Sequence, residues 1–179
     1  MINPSSAPPF DKLEASLARL SARLPSTPVP KIMLSRMLVE LGRGMAALLE
    51  HQIRPFGLTE PEFRVLTALF SQAEGVAHPS DLCARTGQSP ANMSRISDAL
   101  VSRDLITRVS SAKDRRRMVL RITEQGEELV HRLLPVLFGP LEEMFCEFSE
   151  SELERLIAQL KGLAVKLQQA ALRDTSERA

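Results

Sequence analysis

The stretch Asp114-Arg115-Arg116-Arg117-Met118-Val119-Leu120-Arg121-Ile122-Thr123-Glu124-Gln125-Gly126 constrains the fold most. A densely charged turn runs into an alternating strand, and the strand runs into a helix start. On an extended strand, Met118, Leu120 and Ile122 fall on one face, with Val119 and Arg121 on the other. Thr123 is placed to offer its hydroxyl to the free amides of a following helix. Lys113, Arg115, Arg116 and Arg117 gather at the turn, where a folded domain gains little by packing them. A polyanion is the natural partner for such a tip.

The residues upstream supply the rest of a unit. Leu105 to Ser110 and Arg117 to Ile122 read as two arms of a β-hairpin with Ser111 to Arg116 at its tip. Before them lie two short helices, Asp81 to Arg85 and one started by Ser89-Pro90, joined by Thr86-Gly87-Gln88. Serine is a good N-cap and proline a good first helical residue. Met93, Ile96, Leu100 and Val101 point inward. This is a helix-turn-helix followed by a basic hairpin, a winged helix. One helix earlier, Thr59 opens a segment with Pro61 and Glu62 in its first turn and Phe63, Leu66, Leu69 and Phe70 on its buried face.

The flanks are helical. Lys31 to Arg54 carries a stripe of Leu34, Leu38, Leu41, Met45, Leu48 and Leu49, and Pro55-Phe56-Gly57 ends it. Phe10 to Leu24 has the leucine spacing of a short amphipathic helix, and Pro25, Pro28 and Pro30 then make a linker. Glu124 to about Phe148 forms a long helical segment that Pro135 and Gly139-Pro140 bend. Ser149-Glu150-Ser151-Glu152 has capping-box spacing. The closing stripe of Leu153, Leu156, Leu160, Leu163, Leu167 and Ala170 needs a partner, for which a second copy of the chain is a candidate. The expected fold is mainly α with a small β-hairpin wing. A winged helix-turn-helix spans 57–123, a helical dimerisation region spans 31–56 and 124–173, and an extension spans 1–30.

Charge distribution separates these regions. Across the 179 residues the formal net charge is only +1. Yet Arg85 to Thr123 carries +6, and Glu124 to Ala179 carries −5. A basic middle beside an acidic tail fits one module that faces phosphates and another that does not. No apolar run approaches the roughly 20 residues of a membrane span, and Met1 to Pro9 has neither a basic start nor an apolar segment. These readings place the chain in the cytoplasm, with no membrane partner. Cys83 and Cys146 are not spaced as a metal or redox pair and read as reduced, largely packed thiols. His51, His78 and His131 share no metal-binding spacing. No nucleophile elbow, phosphate-cradling glycine loop or metal-hydrolase motif is present, so neither an enzyme nor a cofactor is expected.

Gly87 to Arg95, Leu105-Ile106-Thr107-Arg108, the Asp114-Arg115-Arg116 tip and Leu120 to Gly126 together resemble the MarR family of bacterial transcription regulators. Order and spacing agree over roughly 31–169. Pro30 to Arg36, Thr59 to Phe63 and His78 to Leu82 look like the multidrug-efflux repressors of that family, the MprA/EmrR type. The resemblance implies a homodimeric repressor on a double-stranded, pseudo-palindromic operator, released by small lipophilic aromatic effectors. An aromatic-compound or stress-response operon, or a protein-binding adaptor, is the alternative. The second helix of the helix-turn-helix offers Ser89, Ala91, Asn92, Ser94 and Arg95 to the major groove. Asparagine pairs with adenine and arginine with guanine. At the wing, with Lys113, Arg115 and Arg117 near phosphates, the family pattern makes Asp114 the brace and Arg116 the residue that enters the minor groove. For an effector, the candidate lining is Met33, Met37, His51, Phe63, Leu66, Phe70, Leu133 and Leu137, though each also suits a core. Peroxide-sensing relatives use a cysteine near the first core helix with tyrosines close by. Neither exists here.

Overall fold

A computed structural model describes residues 10–110 and 118–177, with side chains to 173. The chain forms two compact units, one ending at Leu133 and one starting at Leu134.

In the first unit, α1 (Asp11–Arg23) packs on α2 (Val29–Ile53) and buries Leu17. The extension therefore contains the expected short helix. Pro30 belongs to α2, where a proline in the first turn gives up an amide hydrogen that has no partner there. A 3-10 turn, Arg54–Phe56, ends in Gly57 at a left-handed φ of 68°. Helix α3 (Glu60–Phe70) starts from a capping box: Glu62 accepts from the Thr59 amide at 2.8 Å, and Thr59 accepts in return from the Glu62 amide. Its buried residues are Val65, Leu66 and Leu69. Phe63 and Phe70, expected on that face, are only half-buried.

Next come β1 (Val76–Ala77), α4 (Pro79–Thr86), α5 (Pro90–Ser102), β2 (Ile106–Ser110) and β3 (Met118–Ile122). The three strands form an antiparallel sheet in the order β1-β3-β2. Register runs from Ile106 opposite Ile122 to Ser110 opposite Met118. Helix α3 rests against α4, α5 and β3. Leu66, Leu69, Leu82, Met93, Leu100, Ile106 and Leu120 are all at most 2% exposed and make the core that fixes α5 against the sheet.

Two strand positions differ from simple alternation. Val119 is buried although it points away from Leu120 and Ile122. The second face of the sheet is not open, because the α3–β1 turn and α4 border the recess that Val119 shares with Val76, Arg85 and Arg121. Met118, on the same strand face as Leu120 and Ile122, is 50% exposed at the first residue of β3.

Helix α6 (Glu124–Phe145) contains Pro135 and Pro140. Its first turn lies against the chain leaving α5. The Thr123 amide donates to the Leu105 carbonyl at 3.1 Å, and the Thr123 hydroxyl donates to the Asp104 carbonyl at 2.6 Å. That hydroxyl also accepts from the Gly126 amide at 3.1 Å. Gly126 is required by packing: a Cβ there would sit 2.1 Å from the Leu105 carbonyl oxygen.

In the second unit, α7 (Glu150–Glu177) begins at Ser149, whose hydroxyl and amide both donate to the Glu152 carboxylate. Phe145 and Phe148 meet edge-on, with centroids 6.0 Å apart. Cys146 lies in the turn after α6 and is exposed, not packed as the sequence implied; Cys83 is half-buried. No helix among the described residues is long and apolar enough to cross a membrane.

Candidate nucleic-acid interface

The interface is assembled around the start of α5. Helix α4 stops at Gly87, whose φ of 69° a residue with a Cβ adopts only under strain. The Gln88 amide then donates to the Cys83 carbonyl, closing the turn. Ser89 is the N-cap expected from sequence and accepts from the Asn92 amide at 3.2 Å. Thirteen residues give α5 a length of about 20 Å, comparable with the reach needed in a major groove.

The two faces of α5 differ sharply. Met93, Ile96, Ser97 and Leu100 are buried. The Ser97 hydroxyl donates back to the Met93 carbonyl at 2.7 Å, so no polar atom is orphaned on that face. Ser89, Ala91, Ser94 and Arg95 are exposed, and Asn92 is half-buried. All five sequence candidates on this helix therefore lie along its first two turns. Two of them, Asn92 and Arg95, do not act as independent side chains. Asn92 donates its amide hydrogen to the Gln88 side-chain oxygen and accepts from the Arg95 guanidinium at 2.9 Å.

Residues that sequence reasoning passed over hold this helix in place. Arg108 on β2 pairs with Asp98 on α5 at 2.6 Å, joining the first arm of the hairpin to the helix. Arg103, at the end of α5, donates to the carbonyls of Gly57 and Phe56 at 2.7 and 3.0 Å. The only sequence signal for these contacts was a basic count in this stretch, which does not say which arginine is structural. The wing-tip candidates Lys113, Asp114, Arg115, Arg116 and Arg117 lie outside the described residues.

The proposed effector residues are scattered in their surroundings. Met33 and Met37 are half-buried on α2, and His51 is exposed near its end. Leu66 and Leu133 are core residues, each 1% exposed. Phe63 and Phe70 are half-buried on α3, and Phe70 meets His131 edge-on at 5.0 Å. Leu137, also buried, belongs to the second unit. None of them borders the open cavity of about 620 Å³ between α4, α5 and the hairpin, which Pro79, Cys83, Met93, Arg108 and Leu120 line in part. No cluster of metal-ligating side chains occurs among the described residues.

Comparison with known proteins agrees with this architecture. Residues 56–117 match a model described as MarR family. The chain is 29% identical over 160 residues to the transcriptional repressor MprA of Escherichia coli K12, covering 89% of this chain and 91% of that protein. The crystal structure of AbsC, a MarR family transcriptional regulator from Streptomyces coelicolor, superimposes with a TM-score of 0.71 at 26% identity, covering 80% of this chain and 97% of AbsC. Staphylococcus aureus MepR, solved as a complex with DNA, shares the fold with a TM-score of 0.68 at 20% identity, over 74% of this chain and 95% of MepR. With its helix-turn-helix and three-stranded sheet built as described above, the chain matches the MarR family over residues 56–117 and is similar over most of its length to winged-helix transcriptional regulators of that family.

Proposed function

We propose that two copies of this chain repress transcription by gripping a pseudo-palindromic operator. Each α5 occupies a major groove, and each wing tip reaches the adjoining minor groove through Arg116, braced by Asp114. The observation that carries this reading is the exposed polar start of α5, presented on a helix whose other face is locked into the core. Direct readout needs that combination of reach and rigidity. MepR has been solved with DNA, and MprA is named a transcriptional repressor, which supports assigning the same task here.

Pairing is supported by uncovered apolar surface. Leu34, Leu41 and Met45 on α2, and Leu156, Ile157, Leu160, Leu163 and Leu167 on α7, are all exposed in the single chain. Continuous stripes of this kind are costly to leave in water, and a second copy covers them symmetrically. Recognition helices held about 34 Å apart then meet successive grooves.

The reading further assigns release to a small lipophilic aromatic effector, and the regulated genes to multidrug efflux. An effector that favours a misaligned dimer by about 2.7 kcal/mol lowers operator affinity about 100-fold. The test is fluorescence anisotropy on a duplex taken from upstream of this gene, repeated across salt concentrations. Affinity falls steeply with salt, and Arg116→Ala weakens binding and flattens the slope by about two charges per dimer, one from each copy. Affinity that does not change with salt, or Arg116→Ala binding like wild type, contradicts the proposal.

A further inference from the structure

We propose that Gln88 and Asn92 are positioning residues for Arg95, and that Arg95 is the base-reading side chain of α5. The inference rests on the DNA-binding reading above and adds a division of labour to it. Sequence alone lets Asn92 read adenine and Arg95 read guanine as separate contacts. The geometry points elsewhere.

A two-point contact with adenine uses both ends of the asparagine amide, the oxygen accepting and the nitrogen donating. Here both ends are already engaged. The Asn92 nitrogen donates to the Gln88 oxygen, and the Asn92 oxygen accepts from Arg95 Nη2 at 2.9 Å. Asn92 is also half-buried, whereas Arg95 is exposed.

The spacing makes the chain of bonds a local device. Gln88, Asn92 and Arg95 follow one another at four and three residues, the intervals that bring side chains together along one stripe of a helix. Gln88 stands just before the N-cap, in the turn closed by its own amide on the Cys83 carbonyl. Its side chain therefore transmits the position of the fixed turn to the arginine. An arginine held at one nitrogen still has four donor hydrogens free, enough for the O6 and N7 acceptors of guanine. Holding it before contact removes rotamer freedom that binding would otherwise have to remove.

The test selects preferred duplexes from a randomised pool with the wild-type protein, then measures affinity for every single-base-pair variant of the selected site. Arg95→Ala abolishes the preference at one G·C pair in each half-site, a loss of about 10-fold. Asn92→Ala and Gln88→Ala weaken the preference at that same pair, leaving the other positions and the salt slope unchanged. Gln88→Glu, which keeps the accepting oxygen, restores the preference while lowering affinity for all sequences alike through its charge. The inference is overturned if Asn92→Ala erases a preference at an A·T pair of its own, or if Gln88→Ala leaves every position as in wild type. If the wild-type protein selects no sequence and shows no salt-dependent affinity for duplex, the DNA-binding reading fails and takes this inference with it. Thermal unfolding of each variant confirms that the fold is retained.

Discussion

Replacing Gly126 by alanine sets two physical effects against each other. Inside a helix, glycine to alanine gains up to about 1 kcal/mol from backbone entropy. Here the added Cβ lands 2.1 Å from the Leu105 carbonyl oxygen and 2.8 Å from Ile122 Cγ1. Ordinary contact begins near 3.4 Å, so the start of α6 must retreat by about 1.3 Å. The obstacle is backbone, which cannot swing aside. Retreat also stretches the Thr123 amide bond to that same carbonyl, now 3.1 Å. Overpacking costs about 3 kcal/mol at the upper end of its usual range, and a weakened hydrogen bond adds about 1. After the entropic gain, the variant is about 3 kcal/mol less stable. For a chain of this size that lowers the melting temperature by about 6–12 °C. Circular dichroism at 222 nm, at fixed protein concentration, reads the shift. A melting temperature equal to or above wild type means that α6 does not approach Leu105 closely, and refutes the packing argument.

Other expectations follow from single contacts. Arg103→Ala removes two charge-assisted hydrogen bonds to the Gly57 and Phe56 carbonyls and costs about 2 kcal/mol in urea unfolding. Asp98→Ala breaks the Arg108 pair, but the two side chains are 62% and 39% exposed, so the same assay finds less than about 1 kcal/mol. An Asp98 effect larger than the Arg103 effect contradicts this ranking. At the start of α7, the side-chain and backbone hydrogen bonds from Ser149 hold the Glu152 carboxyl below its ordinary value of 4.5. A depressed carboxyl stabilises the folded state above the unfolded value and loses that effect as pH falls through the folded value. Wild type should therefore lose stability relative to Glu152→Gln as pH drops below 4.5, and a constant difference between the two refutes the assignment.

The local order of the fold was legible because each element carries its own punctuation. Ser89-Pro90 marked the start of α5, Thr59 and Glu62 the start of α3, and Ser149 with Glu152 the start of α7. Alternation found β2 and β3 and put Val119 on the face opposite Leu120, but did not show that this face is also covered. Whether a sheet has one or two covered faces depends on what packs behind it, which the period of the strand does not record. Strand β1 was missed because two residues are too short to display any period. The candidate side chains at the start of α5 were found as a set because they are short or polar and stand at the N-terminal end of the second helix of the helix-turn-helix. The bonds from Gln88 through Asn92 to Arg95 were not, because they depend on rotamers. Arg103 and Arg108 looked like part of a basic surface, yet one ties down a turn and the other anchors a strand.

The central claim is that paired winged helices hold one duplex in two neighbouring grooves. Hydroxyl-radical footprinting of the complex on the upstream duplex, with the number of chains counted by sedimentation, tests it most directly. The account predicts two chains per duplex and two protected tracts centred about one helical turn, 10–10.5 base pairs, apart. A single bound chain, or uniform protection without that phase, contradicts it.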